Sequence, residues 1–256
     1  MLRTRIIPCL QLIDESLVKT IKFDKYGYIG DPINTVRIFN ELEVDELVFL
    51  DIVATNDQRS PNLRLLAEIA NECFMPLGYG GGLNNFQIVK DIFSIGFEKV
   101  VLNSVCYEQP QFVTRVAEHY GNQAVVVSVD VKKNIWGNYE VFSHSGKRRQ
   151  KKNLIEWVVE LEQLGAGELL LTSIDKEGTW SGFDVNLIKR VTEAVGIPVI
   201  AHGGAGDIQH IGEVVKQGHA SAVALGSMVV YQQKGMGVLV NFPDEADLIN
   251  VLNGTK

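Results

Sequence analysis

Eight short apolar, β-branched runs punctuate this chain, separated by longer amphipathic stretches. The runs are Arg5–Leu10, Leu47–Asp51, Pro76–Tyr79, Lys99–Asn103, Ala124–Asp130, Glu168–Thr172, Pro198–Ala201 and Ala220–Leu225. Each is apolar almost throughout, as a strand covered on both faces must be. Between them, Pro32–Leu42, Asn62–Glu72, Phe86–Ile95, Pro110–His119, Leu154–Leu164, Val185–Val195 and Ile208–Lys216 carry helical periodicity. Strict alternation of this kind demands parallel βαβ crossovers. Eight such units in 256 residues predict an α/β chain closed into a (β/α)8 TIM barrel, a fold of about 250 residues. A doubly wound open sheet is the competing arrangement. No Pro-, Ser- or Gly-rich linker interrupts the chain, so a single barrel domain over 1–256 is expected.

The strand ends repeat themselves about half a chain length apart. Leu50-Asp51-Ile52 answers Ile174-Asp175-Lys176, and Gly80-Gly81-Gly82 answers Gly203-Gly204. Asn103-Ser104 answers Gly226-Ser227, and Arg5-Ile-Ile-Pro-Cys-Leu-Gln11 answers Ala124-Val-Val-Val-Ser-Val-Asp130. Four matches in one order predict a two-fold repeat of half-barrels, about 1–122 and 123–256.

In a barrel the loops after the strands build the active site. Small residues there let backbone N–H groups approach an anion. Gly203, Gly204, Gly226 and Ser227 make one candidate phosphate cradle, and Gly82, Asn103 and Ser104 its counterpart. The same glycines also suit ordinary turns, but their occurrence as paired sets favours a phosphorylated small molecule with a phosphate at each end. Asp51, Asp130 and Asp175 each end an apolar strand, where a carboxylate either caps a loop or faces the open mouth as an acid or base. Asp130 is the best placed, and its repeat partner is Gln11, which cannot exchange a proton.

Composition limits the partners. With Lys+Arg 24 against Asp+Glu 31 the net charge is -7, which argues against general nucleic-acid binding. The one basic cluster, Lys147-Arg-Arg-Gln-Lys-Lys152, reads as a solvated loop, with an anion-attracting lid as the functional option. Three distant cysteines make neither a disulfide framework nor a zinc cluster. The five histidines lack ligand spacing, so no metal or cofactor is expected, and they read as surface or satisfied core groups. The N-terminal stretch lacks a leader's apolar core. The longest charge-free segment, Gln217–Gln233, suits a buried strand and turn better than a membrane span. A cytoplasmic protein without membrane contact is expected.

Longer motifs carry a family resemblance. Arg5-Ile-Ile-Pro-Cys-Leu, Gly30-Asp-Pro32, Asp45-Glu-Leu-Val-Phe-Leu-Asp51, Gly80-Gly-Gly82, Gln123-Ala-Val-Val-Val-Ser-Val-Asp130, Gly165-Ala-Gly-Glu-Leu-Leu-Leu-Thr-Ser-Ile-Asp175 and Gly203-Gly-Ala-Gly206 resemble the cyclase subunit of imidazole glycerol phosphate synthase. The resemblance implies a partner glutaminase docked at the N-terminal face of the barrel. Ammonia would pass through the barrel to a bisphosphorylated ribulosyl substrate, giving imidazole glycerol phosphate and an aminoimidazole carboxamide ribotide for histidine biosynthesis. By position, Arg5, Glu46, Lys99 and Glu168 correspond to the family's charged ring at the ammonia entrance, Lys19 to its substrate-covering loop lysine, and Asp130 to one of two catalytic aspartates. The second catalytic aspartate is replaced by Gln11. Glu177 replaces an aspartate of the usual Asp-Gly-Thr motif, and Thr20 stands where glycine is usual.

The chain also resembles an offshoot of that family found in bacterial surface-polysaccharide clusters. Ile7-Pro8-Cys9-Leu10, Val18-Lys19-Thr20, Tyr28-Ile-Gly-Asp-Pro-Ile-Asn34, Glu72-Cys-Phe-Met-Pro-Leu77 and Val238-Leu-Val-Asn-Phe-Pro243 carry that likeness. It implies a synthase-type subunit that pairs as a heterodimer with a class I glutaminase and delivers ammonia to a third, sugar-amidating enzyme. The alternatives are the histidine-pathway cyclase itself and an inactive barrel that serves as a glutaminase activator or scaffold.

Overall fold

The computed structural model describes residues 4–253; residues 1–3 of the N-terminal stretch weighed above as a leader lie outside them. Twelve strands run in chain order as β1 Arg5–Ile13, β2 Ser16–Thr20, β3 Tyr26–Gly30, β4 Leu47–Asp51, β5 Leu77–Gly80, β6 Lys99–Leu102, β7 Val125–Lys133, β8 Tyr139–Ser143, β9 Arg148–Arg149, β10 Glu168–Ser173, β11 Val199–His202 and β12 Ala222–Leu225. Eight of them pair in parallel, in the order β1-β4-β5-β6-β7-β10-β11-β12 and back to β1. Helices lie between the strands, so the chain forms the expected (β/α)8 barrel. All eight barrel strands overlap the runs read from the sequence.

Side chains alternate between two cores, because successive Cβ atoms on a strand point to opposite faces. Ile6, Leu10, Phe49, Leu169 and Leu171 face outward into the layer shared with the helices. Ile7, Cys9, Val48, Val101, Val126, Leu170, Ile200, Ala222 and Ala224 face inward and fill the barrel axis. Local chemistry sets the helix starts. Asp31 accepts a hydrogen bond from Asn34 N and Pro32 takes the first helical position, so Gly30-Asp31-Pro32 opens the helix Pro32–Glu41. Asn62 does the same for Leu63–Glu72, which buries Leu65, Leu66 and Ile69.

Four strands lie outside the barrel. β1 and β7 are nine residues long and project past the rim, where β2 and β3, and β8 and β9, fold back on them as antiparallel ribbons. One ribbon follows β1 and the other follows β7. Asn103 and Gly226 share an unusual conformation (φ −141, ψ −86 and φ −108, ψ −92) before the short helices Ser104–Glu108 and Ser227–Val230. A C-terminal helix, Glu245–Asn253, packs against Ile208–Gly218, with Val251 against Gly212. Among the described residues no helix is long and apolar enough to cross a membrane.

Candidate functional site

At the N-terminal end of the barrel the first residues of β1, β6 and β10, with Glu46 just before β4, bring four charges together. Arg5 Nη1 lies 2.6 Å from Glu46 Oε2, and Arg5 Nη2 lies 2.7 Å from Glu168 Oε1. Lys99 Nζ completes the ring at 2.9 Å from Glu46 and 3.2 Å from Glu168. Glu46 is buried and its Oε1 has no partner. The ring is a closed floor of alternating sign beneath the apolar barrel axis.

At the opposite end a cleft of about 560 Å³ opens over the first half of the mouth. Gln11, Asp51, Gly82, Asn103, Ser104 and Asp130, all singled out from the sequence, line it. Asp130 is buried at the end of the barrel part of β7, receiving hydrogen bonds from Asn103 Nδ2 at 2.8 Å and Ser128 Oγ at 3.2 Å. Burial pushes its carboxyl up to about 6, against the pull of those hydrogen bonds. An acid of that strength exchanges protons near neutral pH. Asn103 donates its amide N–H to Asp130, and its Oδ1 stays buried without a partner.

Asp51 is engaged differently. Arg59 Nη1 lies 2.8 Å from it, and the N–H groups of Val53 and Ala54 donate at 3.2 and 2.9 Å. That is the loop-capping geometry, although burial raises its pKa. Asp175 lines neither this cleft nor the smaller pocket described below; it accepts a hydrogen bond from Lys133 N at 2.8 Å. Arg59, His144, Ser145 and His202 also line the cleft, and nothing in their sequence spacing announces them. His202 is a satisfied buried group, 3.1 Å from Thr172 Oγ1, with its pKa pulled down to about 4 by burial and by the Lys19 charge. At pH 7 it is neutral.

The second half of the mouth is nearly full. Lys19, Gly203, Gly204, Gly226 and Ser227 meet there around a residual space of about 10 Å³, with Glu177 among them. Lys19 and Glu177 form a buried ion pair. Gly82 and Gly203 sit in tight turns at φ +66 and +90, and a Cβ on either would approach a backbone carbonyl within 2.8 Å (Arg59 O and Ser173 O). Close chain crossing therefore accounts for these two glycines whether or not an anion is bound.

The basic cluster is a strand edge as well as a loop. Arg148 and Arg149 form β9, 3.4 Å from Glu108 and 3.2 Å from Glu140, and Lys152 lies 2.7 Å from Glu160. These exposed pairs describe a solvated surface, worth little individually.

A family profile described as histidine biosynthesis protein matches residues 5–235. The chain belongs to that family. It is 46% identical over 244 residues, 95% of this chain and 97% of the relative, to a Pseudomonas aeruginosa protein named, provisionally, imidazole glycerol phosphate synthase subunit hisF2. A Leptospira borgpetersenii protein, also named provisionally as imidazole glycerol phosphate synthase subunit HisF, is 44% identical over 248 residues, 96% of this chain and 98% of its own. The imidazole glycerol phosphate synthase subunit HisF of Chlorobium luteolum is 41% identical over 233 residues, 91% of this chain and 92% of its own.

Within this family frame, the structure joins what the sequence scattered. Thr20 N and Thr20 Oγ1 donate to Gln11 Oε1 at 2.8 and 3.1 Å, and Thr20 Oγ1 also lies 3.0 Å from Glu177 Oε1. Gln11 Nε2 reaches Glu177 Oε1 at a long 3.5 Å, and Phe23 N donates to Glu177 Oε2 at 3.2 Å. Gln11, Thr20 and Glu177 therefore form one buried cluster.

Proposed function

We propose that this chain is the synthase-type subunit of a glutamine amidotransferase complex. A class I glutaminase docks at the ring end as the other half of a heterodimer. Ammonia then passes along the barrel axis to the upper cleft, for amidation of a sugar by a third enzyme in surface-polysaccharide biosynthesis. The cleft holds a phosphorylated small molecule at its Gly82, Asn103 and Ser104 end. No cofactor or metal is called for, and the complex works in the cytoplasm.

The observation that carries this reading is a complete charged ring below a barrel whose strand-one acid is missing. Arg5, Glu46, Lys99 and Glu168 close the floor. The axis above is lined by small and apolar groups such as Cys9, Ala222 and Ala224, which neutral ammonia passes more readily than ammonium. Gln11 stands where a second proton-transfer group would be needed, and one such group is worth roughly 10²–10⁴ in rate. Conduction is kept while cyclisation is impaired. Asp130, poised near neutrality at about 6, favours a second reading, the histidine-pathway cyclase with an amide tolerated at position 11.

The two readings separate on purified protein. With ammonium and the bisphosphorylated ribulosyl substrate we expect little or no cyclisation, and a rise on Gln11→Asp. Mixed with a class I glutaminase at micromolar concentration, the chain is expected to form a complex and stimulate glutamine hydrolysis. Ready turnover by the unmodified chain overturns the sugar-amidation reading. Failure to bind a glutaminase overturns both.

A further inference from the structure

The repeat predicts two equivalent anion pockets, yet the two differ in what fills them. The first-half pocket, at Gly82, Asn103 and Ser104, opens into the 560 Å³ cleft. The second-half pocket, at Gly203, Gly204, Gly226 and Ser227, keeps only about 10 Å³, close to the minimum for one water. Its space is taken by Lys19, whose stem packs so tightly on the backbone that a Cβ at position 226 would stand 2.7 Å from Lys19 Cε. The Lys19 ammonium lies on Glu177, and both side chains are buried, 5% and 1% exposed.

Glu177 is held from several sides: by Lys19, by Thr20 Oγ1, by Phe23 N and, at longer range, by Gln11 Nε2. A phosphate entering this pocket must displace the lysine and then lie against a buried carboxylate of its own sign. In a weakly screened interior that repulsion is severe, and breaking the pair leaves an uncompensated charge. His202, which also lines the pocket, is neutral at pH 7 and offers no positive charge. The charges on the lining side chains thus sum to zero at neutral pH, with no cation left over to receive an anion.

We propose that the Lys19–Glu177 ion pair is a built-in occupant of the second-half anion pocket, so that the mouth takes a ligand carrying one phosphate and rejects a bisphosphate. The single-phosphate part rests on the phosphate reading given under Proposed function; the exclusion at the second pocket does not. The elongated, doubly phosphorylated ligand expected from the sequence repeat is replaced by a shorter one. Its phosphate sits at the first-half pocket and its remainder faces Asp130 and Gln11.

Hydrogen exchange with inorganic phosphate as the probe tests this on the unmodified chain. Phosphate is expected to slow exchange in segments 80–84 and 103–106 and to leave 203–206 and 226–230 unchanged. Protection of 226–230 overturns the proposal. In Glu177→Gln the carboxylate is gone and Lys19 is freed, so phosphate stoichiometry is expected to rise from one to two. A pentose bisphosphate should then bind about tenfold more tightly relative to the monophosphate than it does to the unmodified chain. A folded Glu177→Gln protein that gains no second phosphate also overturns it. If the unmodified chain binds no phosphate but Glu177→Gln gains one at 226–230, the exclusion stands and the phosphate reading of the first pocket fails. If the variant does not fold, the exchange pattern of the unmodified chain decides alone.

Discussion

Replacing Asp130 by asparagine should make this protein more stable at neutral pH. Asp130 is 5% exposed; among the described residues no cation stands beside it, and Asn103, Ser128 and Thr172 offer it hydrogen bonds. Its carboxyl is pushed from the ordinary 3.8 up to about 6. A folded-state pKa above the unfolded one means that the contribution is complete below about 3.8 and is lost as pH rises through 6. The gap of about two pH units, at about 1.4 kcal/mol each, amounts to about 3 kcal/mol above pH 7. The asparagine side chain keeps the shape without a charge: its Oδ1 can accept from Asn103 Nδ2 while its Nδ2 donates to Ser128 Oγ, whose hydroxyl turns from donor to acceptor. The expected gain is therefore up to about 3 kcal/mol at pH 7.5, shrinking to about 0.5 kcal/mol at pH 4. In a chain of this size that corresponds to roughly 6–12 °C in Tm at pH 7.5. Urea melts of both proteins at the two pH values read the effect. Altered hydrogen-bond geometry adds an offset of about 1 kcal/mol of either sign that does not vary with pH, so the pH dependence of the difference is the decisive quantity. His202 titrates in both proteins and largely cancels. A difference that stays constant between pH 4 and 7.5 refutes the reasoning, because Asp130 would then bear no desolvation cost in the folded state.

Two further outcomes concern the ring end. Arg5→Met keeps the apolar stem but leaves Lys99 alone against Glu46 and Glu168; Arg5 is partly exposed, so a loss of about 1–3 kcal/mol is expected in urea melts, and a loss below about 0.5 kcal/mol would show that solvent already screens the ring. Phe74 is 87% exposed in the loop before β5, at the same end of the barrel as the ring. Phe74→Glu should weaken glutaminase binding by at least about tenfold while leaving chain stability within about 0.5 kcal/mol; an unchanged affinity by calorimetry removes Phe74 from the docking face.

The barrel was legible because its strands are buried on both sides. Leu47–Asp51 coincides with β4 residue for residue, and the other seven differ only in where they begin or end. The ribbon strands were missed: β2 is buried but short, with only Leu17 and Val18 apolar, and β3 and β9 lie largely open to solvent. Tyr26, Gly27 and Tyr28 of β3 are exposed, and β9 is two charged residues, so neither presents an apolar run. The C-terminal helix Glu245–Asn253 buries only Leu248 and shows weak periodicity. At the site, the candidate list came from strand ends, and that is where the cleft lies. What sequence order hides is contact: Gln11 and Glu177 are 166 positions apart, and only barrel closure sets them against each other through Thr20.

That contact decides what it takes to restore a second acid. Gln11→Asp alone replaces the amide N–H that faces Glu177 with a carboxylate oxygen, and shortens the side chain by one methylene. Two buried carboxylates would then share Lys19, and one of the two pKa values must rise. The variant is expected to lose stability at pH 7.5 and to recover part of it toward pH 5, the direction set by a raised folded-state pKa. The restored aspartate would also be held partly protonated, and the bisphosphate would still meet an occupied second pocket. Cyclisation by Gln11→Asp should therefore rise only modestly. Adding Glu177→Gln removes the like charge and frees Lys19 together, so kcat/KM of the double variant should exceed the product of the two single effects by about tenfold or more. Measuring all four proteins with ammonium and the bisphosphorylated ribulosyl substrate closes the cycle. Simple multiplication of the single effects would mean that Gln11 and Glu177 act independently, and that the cluster joining them carries no functional weight.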